Sequence, residues 1–231
     1  MTVFAGSGDA GYRGRPRPMR EPDLPSSTIR EAPLLAAADT TSSHSGAALA
    51  ESLSQRLAAG RRQLIARAVG LHRQRDLRVL DATAGFGRDA MLLAALGAEV
   101  DCCERHPAVY AKLREAIVLL PEDVATRMHC HAVDARVLFA DARWDVIFLD
   151  PMYTPTKKQA LPRAAAQALR ELVGEDTDAD TLLAPARAVA LRRVVVKRAL
   201  RAPPLAGSRP MQSLRGNSIR FDLYAPTAAE S

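Results

Sequence analysis

The sequence predicts a doubly wound α/β fold, in which helices cover both faces of a mostly parallel sheet. Two observations support this prediction. Short apolar segments recur along the chain with helical patterns between them, and each segment is almost continuously apolar instead of alternating with polar residues. Alternating strands and helices are typical of parallel sheets, and continuously apolar strands indicate burial on both faces.

The predicted elements follow one another at short intervals between residues 77 and 224. Glycine and proline set some of their limits, since Gly97 closes the first helix of the core and Pro107 opens the second. The predicted strands are residues 77–82, 98–104, 128–133, 144–150, 194–198 and 219–224. The predicted helices are residues 88–96, 107–120, 163–173 and 182–191.

The chain is long enough for one sizeable core, because it has 231 residues of which 48% are hydrophobic. Residues 1–25 are rich in Gly, Pro and Arg, and we expect them to be disordered. Residues 26–75 are predicted to be a helical lead-in, with amphipathic spacing from Ala47 to Gly70. The catalytic domain is predicted to occupy residues 76–231.

Composition argues against several classes of protein. No apolar run approaches the roughly 18 residues of a membrane span, so we expect a soluble, cytoplasmic protein without a membrane partner. The three cysteines, Cys102, Cys103 and Cys130, form no CxxC pair. This spacing disfavours a zinc site or a disulfide framework, and no metal is expected.

Positive charge is concentrated near the carboxyl terminus. The chain has a formal net charge of +6, but Thr181 to Phe221 contains no acid. The basic residues of this stretch are Arg187, Arg192, Arg193, Lys197, Arg198, Arg201, Arg209, Arg215 and Arg220. A segment of one sign favours a polyanion partner such as nucleic acid over a merely solvated surface.

Four predicted strands end in an acid or are directly followed by one: Asp81, Glu104, Asp134 and Asp150. Ligands of open α/β sheets bind beyond the carboxyl ends of the strands, so these side chains are expected at one site. Gly85 and the second glycine of the sequence GFG permit a tight turn and a close approach of ligand to backbone. The pattern predicts a cofactor pocket.

Two cofactors, NAD and S-adenosylmethionine, fit this outline. Glu104 falls about 20 residues after Asp81, where an acid can bind the ribose diol of either. The GxGxxG fingerprint of dinucleotides breaks at Ala90, and Asp89 is poorly suited to a pyrophosphate. Asp81 and Asp89 could instead stabilise the ammonium and sulfonium of S-adenosylmethionine, and Arg88 could meet its carboxylate. The charge pattern favours S-adenosylmethionine, although each acid alone could be a helix cap.

Asp150-Pro151-Met152-Tyr153 is the most specific short motif in the chain. It resembles the D-P-P-Y motif of methyltransferases that modify exocyclic amines. Such an amine is a weak nucleophile, so it must be oriented and its N–H groups must find acceptors. Asp150 and the carbonyl of Pro151 are the predicted acceptors, and Tyr153 offers a flat face for an unstacked base. The alternative is a D-P turn that ends a strand.

Four basic residues are predicted near the same edge of the sheet. Lys157 and Lys158 follow the motif, and Lys197 with Arg198 ends the next strand. We expect them to contact the phosphate backbone of a nucleic-acid substrate, which positions the substrate without reading its sequence.

Several segments together resemble the bacterial ribosomal RNA small subunit methyltransferase J family over about residues 55–225. They are DATAGFGRDA (81–90), ERHP (104–107), LDPMY (149–153), DADTLLAPAR (178–187), VVVKR (194–198), APPLA (202–206) and RFDLY (220–224). The resemblance implies a Rossmann-like class I methyltransferase that uses S-adenosylmethionine to methylate N2 of a guanosine in 16S ribosomal RNA. It also implies cofactor contacts at Arg88, Asp89, Glu104, Arg105, Val133, Asp134 and Asp150.

Other functions stay open at this point. The chain could methylate a different amine, such as adenine in DNA or a protein side chain. It could also be an NAD-dependent dehydrogenase, or a non-catalytic RNA-binding assembly factor on a methyltransferase fold. The sequence before about Ser54 does not match the family, so substrate recognition there could differ.

Overall fold

The computed structural model describes residues 53–140, 142–151 and 178–227. These residues form a seven-stranded sheet in the order β3-β2-β1-β4-β5-β7-β6. The strands are β1 (Arg78–Asp81), β2 (Glu99–Cys103), β3 (Met128–His131), β4 (Trp144–Leu149), β5 (Ala190–Ala199), β6 (Gln212–Arg215) and β7 (Ile219–Tyr224). β1 to β5 are mutually parallel, whereas β7 is antiparallel to β5 and β6 is antiparallel to β7. The predicted mostly parallel α/β fold is confirmed.

Helices flank the sheet in the described residues. They are α1 (Leu64–Val69), α2 (Arg88–Ala95), α3 (Pro107–Val118), α4 (Glu122–Ala125), α5 (Ala135–Phe139) and α6 (Leu183–Val189). Residues 53–57 are also helical, and short 3-10 helices occur at Gly60–Arg62, Ala179–Leu182 and Leu205–Gly207.

Alternate residues of the central strands pack into two cores, one on each face of the sheet. Val79 and Phe148 belong to the core that also includes residues of α1, α2 and α3. Leu80, Ile147 and Leu149 belong to the other core, which includes residues of α5 and α6. Because successive side chains of a strand point to opposite faces, continuously apolar strands are buried on both sides.

The structure differs from the predicted elements in four places. β5 begins at Ala190, four residues before the predicted strand, and β6 at Gln212–Arg215 was not predicted. β6 has the sequence QSLR and lies at the edge of the sheet, where polar residues are common and apolar periodicity is lost. The short helices α4 and α5 were also missed. The predictions for residues 1–25 and 163–173 lie outside the described residues.

None of the described helices is both long and apolar enough to cross a membrane. The described side chains likewise include no group of three or more His, Cys, Asp or Glu residues arranged to hold a metal ion.

Candidate cofactor and catalytic site

The register of the parallel strands brings the acids of the site to one edge of the sheet. Asp81, the last residue of β1, pairs with Phe148 of β4. Leu149 of β4 pairs with Val196 of β5, so the next residues of the two strands, Asp150 and Lys197, lie beside each other. A side chain at the carboxyl end of each strand therefore faces the same region.

The glycine turn after β1 is bonded to the acid after β2. Gly85 and Gly87 have φ values of 55° and 74°, which side chains disfavour. The N–H of Gly85 donates to Glu104 Oε2 over 3.0 Å, and the N–H of His106 donates to Glu104 Oε1 over 2.7 Å. Burial raises the pKa of Glu104 although these two hydrogen bonds oppose it. The glycine turn and Glu104, the predicted ribose-binding acid, are therefore held together by a direct hydrogen bond.

Asp81 is 2% exposed at the centre of this edge. Burial, reinforced by the charge of Asp89, raises the pKa of Asp81 well above its ordinary value. Its carboxylate accepts a hydrogen bond from the N–H of Thr83 over 3.2 Å. The hydroxyl of Thr83 in turn accepts the N–H of Asp150 over 2.7 Å, so the ends of β1 and β4 are linked.

A chain of alternating charges runs through the site. Lys197 Nζ lies 2.7 Å from Asp89 Oδ2 and 2.6 Å from Asp150 Oδ2. Arg56 donates to Asp89 Oδ1 and, over 2.6 Å, to the carbonyl of Arg88. We call Arg56, Asp89, Lys197 and Asp150 the charge chain.

The contacts of the charge chain and the burial of the site shift the pKa values of Asp89, Asp150 and Lys197. Burial alone would raise the pKa of Asp89, but Lys197 and Arg56 outweigh it and lower the value. Burial raises the pKa of Asp150 in spite of Lys197. For Lys197 burial acts to lower the pKa, but Asp150 and Asp89 raise it, so the ammonium stays charged.

A second ionic cluster lies beyond β2 and β3. Asp134 caps α5 by accepting the N–H of Arg136 over 2.9 Å. Asp178 binds the guanidinium groups of Arg105, at 2.9 Å, and Arg136, at 2.6 Å. Val133 is half-buried and packs against the apolar core on this side. Glu104 contacts the glycine turn, and the next residue, Arg105, contacts Asp178. These two neighbours therefore connect the glycine turn to the second ionic cluster.

The predicted site residues divide into those that the structure brings together and those it places elsewhere or does not describe. Asp81, Gly85, Asp89, Glu104 and Asp150 lie at the common edge. Arg88 is exposed at the start of α2, and Pro151 is buried directly after Asp150. Tyr153, Lys157 and Lys158 lie outside the described residues.

The two basic residues at the end of β5 are held within the protein. Lys197 is engaged by the two aspartates, and Arg198 is 7% exposed and donates to the carbonyl of Pro203. These contacts disfavour the expected role of either side chain as an outward phosphate contact. Sequence reasoning missed Arg56 altogether, because no local motif marks it and its partner is 33 residues away.

Most of the basic stretch between residues 181 and 221 makes internal contacts. Six of its nine charged side chains bond other protein groups: Arg187, Arg192, Arg193, Lys197, Arg198 and Arg220. Arg201, Arg209 and Arg215 are exposed. Only part of the charge that suggested a polyanion partner is therefore presented outward.

Comparison with known proteins places the chain among methyltransferases. A family model described as "Putative SAM-dependent methyltransferase" matches residues 46–226. Ribosomal RNA small subunit methyltransferase J of Pseudoalteromonas atlantica is 43% identical over 178 residues, which cover 71% of this chain and 69% of that protein. Its counterpart in Edwardsiella ictaluri is 42% identical over 183 residues, covering 75% and 73%.

A solved structure supports the same grouping. The crystal structure of a SAM-dependent methyltransferase from Neisseria gonorrhoeae superposes with a TM-score of 0.60 at 37% identity, and covers 77% of this chain and 74% of that one.

Proposed function

Because the chain belongs to the ribosomal RNA small subunit methyltransferase J family of SAM-dependent methyltransferases, we propose that it methylates the exocyclic N2 amine of a guanosine in 16S ribosomal RNA. Family membership decides the choice of cofactor in favour of S-adenosylmethionine over NAD. The observation that supports the reaction is Asp150, an acceptor held at the end of β4 beside the acidic cofactor pocket.

The residues of the pocket suit a cationic cofactor. Asp81, Asp89 and Asp150 supply three carboxylates, whereas Lys197 and Arg56 supply two cations, so the set has one carboxylate in excess. S-adenosylmethionine carries an ammonium and a sulfonium, and supplies an electrophilic methyl group. An anionic pyrophosphate would meet repulsion here.

Each group of residues has a proposed part in holding the cofactor. Asp81 and Asp89 would bind its cationic groups, and Glu104 would accept the ribose hydroxyls. The remaining proposed contacts are Gly85, Arg88, Arg105, Val133, Asp134 and Asp150. Arg105 and Asp134 belong to the ionic cluster with Asp178, which would stabilise the adenine side of the pocket.

Asp150 and Pro151 would act on the substrate amine. The lone pair of this amine is delocalised into the guanine ring, so attack requires that nitrogen be held in line and become pyramidal. The carboxylate of Asp150 and the carbonyl of Pro151 would accept its N–H groups and stabilise the positive charge that develops on nitrogen. Tyr153 would stack on the extruded base.

The RNA backbone would run along the same edge of the protein. Lys157 and Lys158 follow the catalytic motif in sequence and are the proposed phosphate contacts. Arg201, just beyond β5, and Arg215, at the end of β6, are exposed and extend this set. Such contacts would orient the RNA without selecting its sequence.

The test is transfer of a labelled methyl group to small ribosomal subunits from a strain that lacks the modification, with the product nucleoside identified. Wild-type protein should yield N2-methylguanosine, and Asp150→Asn should lower kcat by about 10²- to 10³-fold, the usual effect of removing a group that stabilises transition-state charge. Asp123→Asn, at an exposed aspartate of α4, is the matched control. Methylation of DNA or protein substrates but not of the subunit would replace the proposed substrate, and cofactor binding without any transfer would favour an assembly factor.

A further inference from the structure

The environment of Lys197 is unusual for a lysine beside a nucleic-acid substrate. Its side chain is 24% exposed, and the ammonium contacts one oxygen of Asp89 and one of Asp150 at the same time. An ammonium has three N–H donors, so two are taken by carboxylates. A phosphate could recruit Lys197 only by breaking at least one of these charged contacts.

We propose that Lys197 is a positioning residue that fixes the carboxylate of Asp150 for methyl transfer, and that Arg56 fixes the opposite end of the charge chain through Asp89. This inference rests on the proposed role of Asp150 as an acceptor for the substrate amine.

Lys197 occupies one oxygen of Asp150 and thereby orients the other. The contact is to Oδ2 at 2.6 Å, while the N–H of Asp150 is bonded to Thr83. The backbone and one carboxylate oxygen are thus both fixed, and within the described part of the chain Oδ1 stays available for the substrate. A short displacement of a catalytic group can cost about 10²-fold in rate, so such restraint is functionally significant.

Stability alone does not account for a lysine at this position. The three preceding residues of β5, Val194, Val195 and Val196, are completely buried, so an apolar residue could have continued the strand. Partly buried ion pairs recover little more than the cost of removing their charges from water. The Lys197 ammonium contacts both Asp89 and Asp150, and its presence is better explained by the orientation that it gives to these two carboxylates.

Arg56 links this arrangement to the segment that precedes the sheet. Residues 53–57 are helical, and the guanidinium of Arg56 reaches Asp89 and the carbonyl of Arg88 at the start of α2. Asp89 is therefore held from two sides, by Arg56 at Oδ1 and by Lys197 at Oδ2. Loss of Arg56 should loosen Asp89 first and Asp150 only indirectly.

The experiment compares Lys197→Met and Lys197→Arg with Lys112→Met, a matched change at a lysine that pairs with Glu115 on α3. We expect Lys197→Met to lower kcat by about 10²-fold, with unchanged RNA affinity and unchanged salt dependence of binding. Lys197→Arg, which keeps the charge, should recover part of the loss. Arg56→Met should mainly raise KM for S-adenosylmethionine, because Asp89 faces the cofactor.

A titration supplies a readout independent of turnover. Lys197, Asp89, Asp81 and Arg198 are the charged groups that act on Asp150 from β5, α2 and β1. Removal of Lys197 takes away the largest charge that counters burial and Asp89, and only the smaller effect of Arg198 still lowers the pKa of Asp150. The carboxyl resonance of Asp150 should therefore titrate at higher pH in Lys197→Met than in wild type. The acidic limb of the kcat profile should move the same way.

Three results would overturn the inference. Weaker RNA binding with a salt slope reduced by about one in Lys197→Met would make Lys197 a phosphate contact. A lower melting temperature with unchanged kcat below the transition would make its role structural. An unchanged titration of Asp150 would remove the positioning role. Inactivity of the wild-type protein on ribosomal subunits would instead contradict the proposed function, and the titration would still test Lys197.

Discussion

Gly87, in the turn that follows β1, packs directly against Leu113 of α3. A Cβ atom on Gly87 would lie 2.3 Å from Leu113 Cδ1 and 3.3 Å from Met91 Cε. The backbone of Gly87 also has a φ of 74°, which favours glycine. Close packing and backbone conformation together disfavour a side chain here, and the glycine turn proposed to hold the cofactor is thereby fixed against the core.

Gly87→Ala should therefore destabilise the protein and distort the glycine turn. We expect a loss of about 2–4 kcal/mol in the free energy of unfolding, from backbone strain and overpacking together. Gly60→Ala is the control, because Gly60 has a φ of 52° but no atom within 4 Å of an added Cβ. That variant should lose only about 1 kcal/mol, from strain alone. Equal losses in chemical denaturation would show that the contact with Leu113 is unimportant.

The buried pair of Arg220 and Asp222 predicts a large effect on stability. Asp222 is fully buried and accepts from the guanidinium of Arg220 at 2.9–3.1 Å, while Arg220 also donates to the carbonyls of Ala199 and Leu200. Arg220→Met should lower the free energy of unfolding by about 3–5 kcal/mol, because it leaves a buried carboxylate without its cation.

Arg209→Met, at an exposed arginine of the same basic stretch, is the control for Arg220→Met and should change stability by less than about 0.5 kcal/mol. Urea denaturation of both variants measures the difference. Similar values for the two would mean that the Arg220 pair contributes nothing beyond surface charge.

The strand ends of the site could be predicted from the sequence, whereas its ion pairs could not. Each acid follows a short apolar segment, and parallel strands with helical crossovers end at the same edge, so Asp81 and Glu104 could be placed from local pattern alone. The pairing of Lys197 with Asp89 spans 108 residues and joins β5 to α2, and its pairing with Asp150 depends on the register of β5 against β4. Nothing in the local sequence encodes that register.

The basic stretch shows the same limit in another form. A count of the charges between residues 181 and 221 does not show which of these side chains bond other groups of the protein and which face solvent. Arg220 lies between the apolar residues Ile219 and Phe221, and Arg198 lies near the end of a strand that contains a run of valines. A strand pattern does not reveal that a buried acid or a carbonyl lies within reach of either side chain. Side-chain pairing across strands requires the three-dimensional structure.

RNA binding should depend on the lysines that follow the proposed catalytic motif at Asp150. Charge reversal at both Lys157 and Lys158 should weaken binding to ribosomal RNA and lower the slope of log affinity against log salt by about two, one unit for each phosphate that is no longer neutralised. Lys112→Glu, on α3, is the control and should leave the slope unchanged. A slope that stays constant in the double variant would move the phosphate path, with the exposed Arg201 and Arg215 as the next residues to test.

Asp81→Asn should separate stability from cofactor binding. Burial raises the pKa of Asp81 well above the ordinary value of about 4. The folded protein therefore binds the carboxyl proton of Asp81 more tightly than the unfolded chain does. The contribution of this proton to stability is complete below about pH 4 and is lost as pH rises through the folded-state pKa of Asp81. At neutral pH the uncharged Asn removes this cost, so Asp81→Asn should be at least as stable as wild type and its stability should fall less with rising pH.

The affinity of Asp81→Asn for S-adenosylmethionine should nevertheless fall about 10- to 100-fold, the value of a charge-assisted contact of about 1.5–3 kcal/mol. Calorimetric titration with S-adenosylmethionine and denaturation between about pH 4 and 9, a range that begins near the ordinary aspartate pKa, measure both effects, with Asp123→Asn as the control. If Asp81→Asn lost stability and kept its affinity, Asp81 would be a structural residue of the turn through Thr83 and not a cofactor ligand.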